Sequence, residues 1–284
     1  MKFYFISALS VVLIFIYSCS SASMEYRSAV TKVRTEKDLL SGEEWALKAL
    51  EIDSINAQVP YFIATEIYKK QQRWEEEIHM LYKAIDTNSG QLLERPFYVN
   101  DQKISTIGGA SKIELEYISG QLFNQAVDYI NNIPENSKIN NAGYDKLNSL
   151  YDLCILSDSK NQLFYISKYV LFFEQNKRDE CYNVLNQGLS IIPNNPDLNA
   201  IMGDFIETPS EKEFYLKKAI QNATASNKKQ IVGWENSLVI AVYNQNKIDE
   251  AIELSNQLID KYPDDPNNYF NVGLFYYNLA QEQQ

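Results

Sequence analysis

The sequence predicts an all-α protein, a right-handed α-solenoid of helical hairpins. Three observations predict it. The stretches 71–89 (QQRWEEEIHMLYKAIDTNS), 176–195 (NKRDECYNVLNQGLSIIPNN) and 246–265 (NKIDEAIELSNQLIDKYPDD) share one design, a polar turn and then apolar side chains at helical spacing. A second amphipathic segment precedes each of them: VPYFIATEIYKK, QLFYISKYVLFFEQ and GWENSLVIAVYNQ. Prolines or polar turns close the units, as at Pro193 and Pro263. A supersecondary unit repeated at a fixed period buries its apolar faces by stacking on its neighbours.

The chain opens on a leader. Lys2 is the only charge before Glu25, and residues 3–17 are almost entirely apolar. The run has the length of a secretory signal and is shorter than a spanning helix needs. It ends at Ile16-Tyr17-Ser18-Cys19, followed by Ser20 and Ser21. An aliphatic residue, two further residues and a cysteine in this position resemble the lipobox of bacterial lipoproteins, with Tyr17 departing from the usual small residue. The resemblance implies a signal peptide at 1–18 and lipid attachment at Cys19. It also implies an anchored chain in a bacterial envelope. Ser20, where an inner-membrane lipoprotein would carry Asp, implies the outer membrane, facing the periplasm.

Residues 19–89 are expected to hold N-terminal hairpins. The first, 23–56, is carried by Tyr26, Gly42, Ala46 and Ala49. The second, 58–91, carries Tyr61, Ala64, Thr65 and Tyr68 on its first helix, then Glu77, Leu81 and Ala84 on its second. Residues 90–110, with Pro96 and Gly108-Gly109, are expected to be an irregular insert. Residues 111–160 are expected to hold degenerate hairpins, one ending at Pro134 and a further helix over 138–156. Residues 161–284 form a C-terminal array. Its first unit places Tyr165, Lys168, Tyr169 and Phe172 before Cys181, Leu185, Gly188 and Pro193. The next, 196–226, carries Met202-Gly203 and Ala219. Unit 232–265 places Glu235, Leu238, Val239 and Val242 before Ala251, Ser255, Leu258 and Pro263. A last unit begins with Tyr269, Val272-Gly273 and Tyr276 and is expected to be truncated at Gln284.

These residues resemble the tetratricopeptide repeat (TPR), a 34-residue helical hairpin, over about two-thirds of the chain after the leader. Small residues let its two helices approach, large ones fill the gap to the next hairpin, and Pro stops the second helix. Glu77 departs from the pattern at a packed position, and Ser89 stands where Pro is usual. The resemblance implies an architecture and no activity.

Chemistry is not legible. His79 is the only histidine among 284 residues, which excludes paired-histidine metal sites. There is no phosphate-binding glycine loop and no nucleophile elbow. Glu75-Glu76-Glu77 reads as a solvated helix start, favourable beside the N-terminal end of the helix dipole. Cys154 and Cys181 lie within apolar helical patterns and read as buried thiols. With Lys2 removed, 25 basic residues face 37 acidic ones, a net charge of −12. No basic patch offers a nucleic-acid surface. We therefore expect no enzyme, no cofactor, no metal and no nucleic acid.

In TPR arrays the first helix of each unit lines the inner face, and that resemblance implies candidate groove residues. They are Phe62, with Glu66 and Lys69 beside it, then Leu163, Ile166, Val170 and Phe173. On the later units they are Ile240 and Tyr243 (with Asn236), then Phe270, Leu274 and Tyr277. They are largely apolar and aromatic, so they either receive a peptide or pack between helices. The cationic set with which chaperone-binding TPR domains hold a carboxylate is missing. The expected function is a non-catalytic, lipid-anchored scaffold for an envelope protein or peptide, by analogy with TPR lipoproteins of outer-membrane protein assembly. An alternative is a surface lipoprotein that captures glycan or nutrient beside a transporter. Its discriminating feature would be exposed tryptophans, and Trp45, Trp74 and Trp234 all lie inside helical patterns.

Overall fold

The computed structural model describes residues 22–134 and 139–282, so Cys19 and its leader lie outside the described residues. Among the described residues the fold is all-α apart from one two-stranded hairpin. Successive antiparallel helices pair into TPR-like hairpins of the α-solenoid class. The chain divides into two compact units at Gln121 and Leu122.

The first unit begins with α1 (Met24–Val30), which continues as a π-helical turn, Thr31–Glu36. Next comes α2 (Leu39–Ile52), capped by Asp38, whose carboxylate accepts from the Ser41 N–H. Helix α3 runs through Gln58–Phe62, a second π-helical turn at Ile63–Tyr68, and Lys69–Gln71. Helix α4 (Trp74–Asn88) completes the second hairpin. Tyr26, Ala29 and Val33 interlock with Ala46 and Ala49, and with Val59, Phe62, Ile63 and Ile67, as one core. The alanines and Gly42 let α1 and α2 approach, as the sequence pattern requires.

Residues 92–106, expected to be irregular, form an antiparallel hairpin of β1 (Leu92–Val99) and β2 (Gln102–Thr106). Phe97, Tyr98, Val99 and Ile104 suit a pleated surface. Asn100 and Asp101 take the tight turn at φ 46° and 63°, a left-handed geometry these two residue types tolerate. Leu93, Ile107 and Ala110 close over Ala57 and Ala84 in a second small core. Helix α5 (Ile107–Asn131) then starts through the two glycines. A side chain at 108 would strike Ser89, whose carbonyl accepts from the Gly108 N–H at 2.9 Å. The expected break within 111–134 is absent, because Gly120 alone does not stop a helix and Pro134 lies beyond its end.

The second half of α5 belongs to the second unit. There follow α6 (Asn141–Ser157), α7 (Gln162–Glu174), α8 (Arg178–Ile191), α9 (Pro196–Phe205) and α10 (Pro209–Gln221). A 3₁₀ turn (Ala225–Asn227) leads to α11 (Ile231–Tyr243), α12 (Ile248–Lys261) and α13 (Pro266–Glu282). Leu216, Ala219, Leu238, Val239, Val242, Ala251, Leu258 and Phe275 share one continuous core.

The same turn joins the helices of four hairpins. Lys37, Gln72, Asn176 and Asn246 follow their first helices at φ 56° to 61°. After two of them a backbone N–H reaches back five residues, Arg73 to Tyr68 O and Lys177 to Phe172 O, both at 3.0 Å. This geometry satisfies helix-end carbonyls that would otherwise lack donors.

Candidate functional site

Helix α7 buries Phe164, Tyr165, Leu171 and Phe172 on one side. Lys168 is buried with them, its ammonium held by Asp152 of α6. The opposite side is an apolar stripe. Leu163, Val170 and Phe173 are 51%, 44% and 59% exposed, with Ile166 partly exposed between them. Their spacing of three and four residues sets them one above another on the helix surface. The stripe ends at a cavity of about 220 Å³ lined by Phe173, Asn176, Lys177, Arg178, Cys181 and Phe205.

The cavity has an aromatic floor and a cationic rim. Phe173 stacks on Tyr169 at 5.7 Å, and Tyr169 meets Phe205 edge-on at 6.0 Å. The Arg178 guanidinium lies 4.8 Å over Phe205 and 2.8 Å from Glu207. The Lys177 ammonium sits 4.0 Å over Tyr144, and its contact with that hydroxyl holds its pKa above the usual value. Burial pushes the Cys181 thiol up, which lowers its thiolate fraction. The arrangement suits an apolar or aromatic side chain whose neighbour carries a carboxylate or carbonyl.

The other predicted groove residues fall differently. Phe62 is buried, edge-on to Tyr26 at 5.5 Å, with Arg34 over its ring. Ile240 is partly exposed on α11, whereas Tyr243 stacks on Phe275 at 4.3 Å and accepts a hydrogen bond from Asn278 at 2.7 Å. Tyr243 thus ties α11 to α13. Phe270, Leu274 and Tyr277 share one exposed stripe of α13. Trp234 is buried in the second unit's core, and Trp45 and Trp74 are partly buried.

The first unit carries a cavity of about 370 Å³ with charged residues in its walls, which the sequence did not suggest. Its walls include Tyr61, Phe62, Glu66, Glu94 and Glu114. The two π-helical turns meet there: Arg34 Nε of the first lies 3.2 Å from Glu66 Oε1 of the second. Arg34 also reaches Glu94 of β1, which accepts from the Tyr26 hydroxyl at 3.0 Å. Burial would raise the Glu66 carboxyl, but Lys70 and Arg34 more than offset that and hold it low. Burial, then the charges of Glu114 and Glu66, push the Tyr61 phenol up to about 12. Arg34 and Glu66 are committed to structure, and Glu94 lies in the hairpin the sequence had hidden.

Glu75 is exposed as expected, but Glu77 is wholly buried, and among the described residues neither of its carboxylate oxygens has a hydrogen-bond partner. Burial pushes its pKa up to about 7. His79 is exposed, 3.8 Å from Glu75. Among the described residues no three His, Cys, Asp or Glu side chains cluster as metal ligands, and no helix is long and apolar enough to cross a membrane.

No family model matches the sequence, and neither does any curated protein. Solved structures do resemble it. One is PilW, a type IV pilus biogenesis factor, at 12% identity and a TM-score of 0.39, covering 88% of this chain and 98% of PilW. Another is YrrB, a TPR protein with an unusual peptide-binding site, at 10% identity and a TM-score of 0.39, covering 79% and 96%. A TPR protein from Parabacteroides merdae ATCC 43184 has 13% identity and a TM-score of 0.33, covering 92% and 88%.

Proposed function

We propose that this protein is a non-catalytic scaffold, held on the periplasmic side of a bacterial outer membrane by lipid on Cys19, that binds an envelope protein or peptide. The exposed stripe of α7 carries this reading. Leu163, Val170 and Phe173 are apolar and exposed, with Ile166 partly exposed between them, and they lead into a cavity rimmed by Lys177 and Arg178. An apolar stripe with a charged end is the chemistry of peptide recognition. The Ile16–Cys19 motif supports the anchor, since several acyl chains at one point hold a bilayer at about 0.8 kcal/mol per buried CH₂.

The test is a crosslinking pull-down from envelope membranes with the full chain, beside Cys19→Ala and Phe173→Glu. Phe173 is 59% exposed, so Phe173→Glu should leave the melting temperature within about 2 °C and weaken capture about tenfold. Cys19→Ala should leave the membrane fraction. Capture that survives Phe173→Glu removes α7 as the binding surface. Cys19→Ala remaining in the membrane removes the lipid anchor.

A further inference from the structure

The cavity of the first unit is built by features that the stacking of hairpins does not call for. Two π-helical turns, Thr31–Glu36 and Ile63–Tyr68, supply Arg34 and Glu66 to its walls. Such turns are rare and recur at functional sites. Here two of them, from the first helices of consecutive hairpins, meet in one space of about 370 Å³. The β-hairpin inserted between α4 and α5 closes another side with Leu93 and Phe97, and α5 adds Glu114.

The walls carry charge of both signs, and the pairing decides which sign of ligand they suit. Arg34 is taken up by Glu66 at 3.2 Å and Glu94 at 3.7 Å, with its guanidinium over the Phe62 ring. Arg95 is exposed on β1, where solvent screens it. Glu114 spends only one oxygen, Oε2, on Lys69, which leaves Oε1 for another donor. Among the described residues the Tyr61 hydroxyl has no hydrogen-bond partner. Burial raises the Tyr61 pKa most, and the charges of Glu114 and Glu66 add to it, so the field at that hydroxyl is negative. An anion placed there would face both carboxylates. A cation with N–H donors would find the Tyr61 oxygen, Glu114 Oε1 and an aromatic face. The net charge of −11 draws cations towards the chain from a distance.

We propose that this cavity binds an alkylammonium group, either a free amine or a lysine side chain, with its nitrogen between Tyr61 and Glu114 and its methylenes against Leu93 and Phe97. Arg34 and Glu66 hold the two π-helical turns together and shape the space. The ammonium is the group that is bound. The site belongs to the first unit and the α7 stripe to the second, so either reading can fail without the other.

The experiment is isothermal titration calorimetry on the full chain with four probes of similar length. Pentylamine and Nα-acetyl-lysine N-methylamide carry the ammonium, 1-pentanol is neutral and pentanoate is anionic. Saturable binding of about one amine per chain is expected, with none of the alcohol or the acid. If the blocked lysine binds more tightly, the source is a protein side chain; if pentylamine binds as tightly or more so, it is a free amine. Glu114→Gln should weaken amine binding about tenfold. Tyr61→Phe keeps the ring and removes the hydroxyl, and should weaken it about fivefold. It also covers the case of a Glu114→Gln chain that loses its fold with the Lys69 pair. The proposal is overturned if neither amine binds, if the alcohol or the acid binds as well as the amines, or if Tyr61→Phe and a folded Glu114→Gln both bind as wild type.

Discussion

Glu77 stands at a helix-packing position where hairpins of this kind usually carry a small residue. Burial dominates its environment. The Lys69 ammonium favours its ionised form and Glu114 opposes it, while those two pair with each other at 2.5 Å. Unfolded, the carboxyl titrates near its ordinary 4.5, and folded at about 7. Between those values the folded chain binds the extra proton, so this residue's contribution to stability falls as pH rises through the window and is level above it. Glu77→Met fills a similar volume and removes the titration. Its stability advantage over wild type should grow by about 2 kcal/mol between about pH 5 and 8. Thermal unfolding at the two pH values measures it, and a constant difference would mean the buried carboxyl finds a partner in solution. The pattern marked Glu77 as an odd residue at a packed place. Its burial was not legible, because Glu75 and Glu76 beside it look the same in one dimension, yet the first is exposed and the second only partly buried.

Elements of strong helical period were readable. Helices α7 and α8, and α11 and α12, lie where the apolar spacing put them. The α7 stripe was readable for the same reason, since one face was already committed to Phe164, Leu171 and Phe172. The β-hairpin was not, although Asn100-Asp101 between Val99 and Ile104 was its signal, because Pro96 and the two glycines suggested disorder of pattern. The π-helical turns were not legible either, as one extra residue in a turn leaves the apolar period almost unchanged. Contacts between elements lay furthest out of reach. Glu213 of α10 shows why. It binds Lys217 on its own helix, and it also reaches Lys247 at 2.9 Å and Gln245 at 2.6 Å in the α11–α12 turn. Burial would raise its pKa, but those three bonds more than offset it and hold it at about 2. A depressed carboxylate contributes stability that is present above its unfolded value near 4.5 and is lost as pH falls through 2. Glu213→Gln should therefore cost about 1–3 kcal/mol at neutral pH, with the gap to wild type closing in acid. Urea unfolding at both pH values checks the sign.

At the scale of the molecule, each unit has a core of its own, built around Tyr26 and Phe62 in the first and around Leu216 and Phe275 in the second. Stability in such arrays is close to a sum of hairpin terms and neighbour terms. A change confined to one turn should therefore register as its own increment. Lys37 and Gln72 hold the left-handed turn with side chains poorly suited to it, whereas Asn176 and Asn246 are the better-suited type. An L-residue there costs about 1–2 kcal/mol, and glycine's extra freedom when unfolded takes back about 0.4–1 kcal/mol. Lys37→Gly and Gln72→Gly should each raise stability by roughly 0.5 kcal/mol and sum in the double variant. Denaturant midpoints measure this, and a loss in either variant would show that its side chain contributes contacts worth more than the strain.

Those turns have a practical consequence. At Lys37 and Gln72 they set heat resistance through residues that belong to the first unit, whereas the α7 stripe belongs to the second. Tolerance of temperature and choice of partner are written on different positions of this chain, so either one can be adjusted while the other is left alone.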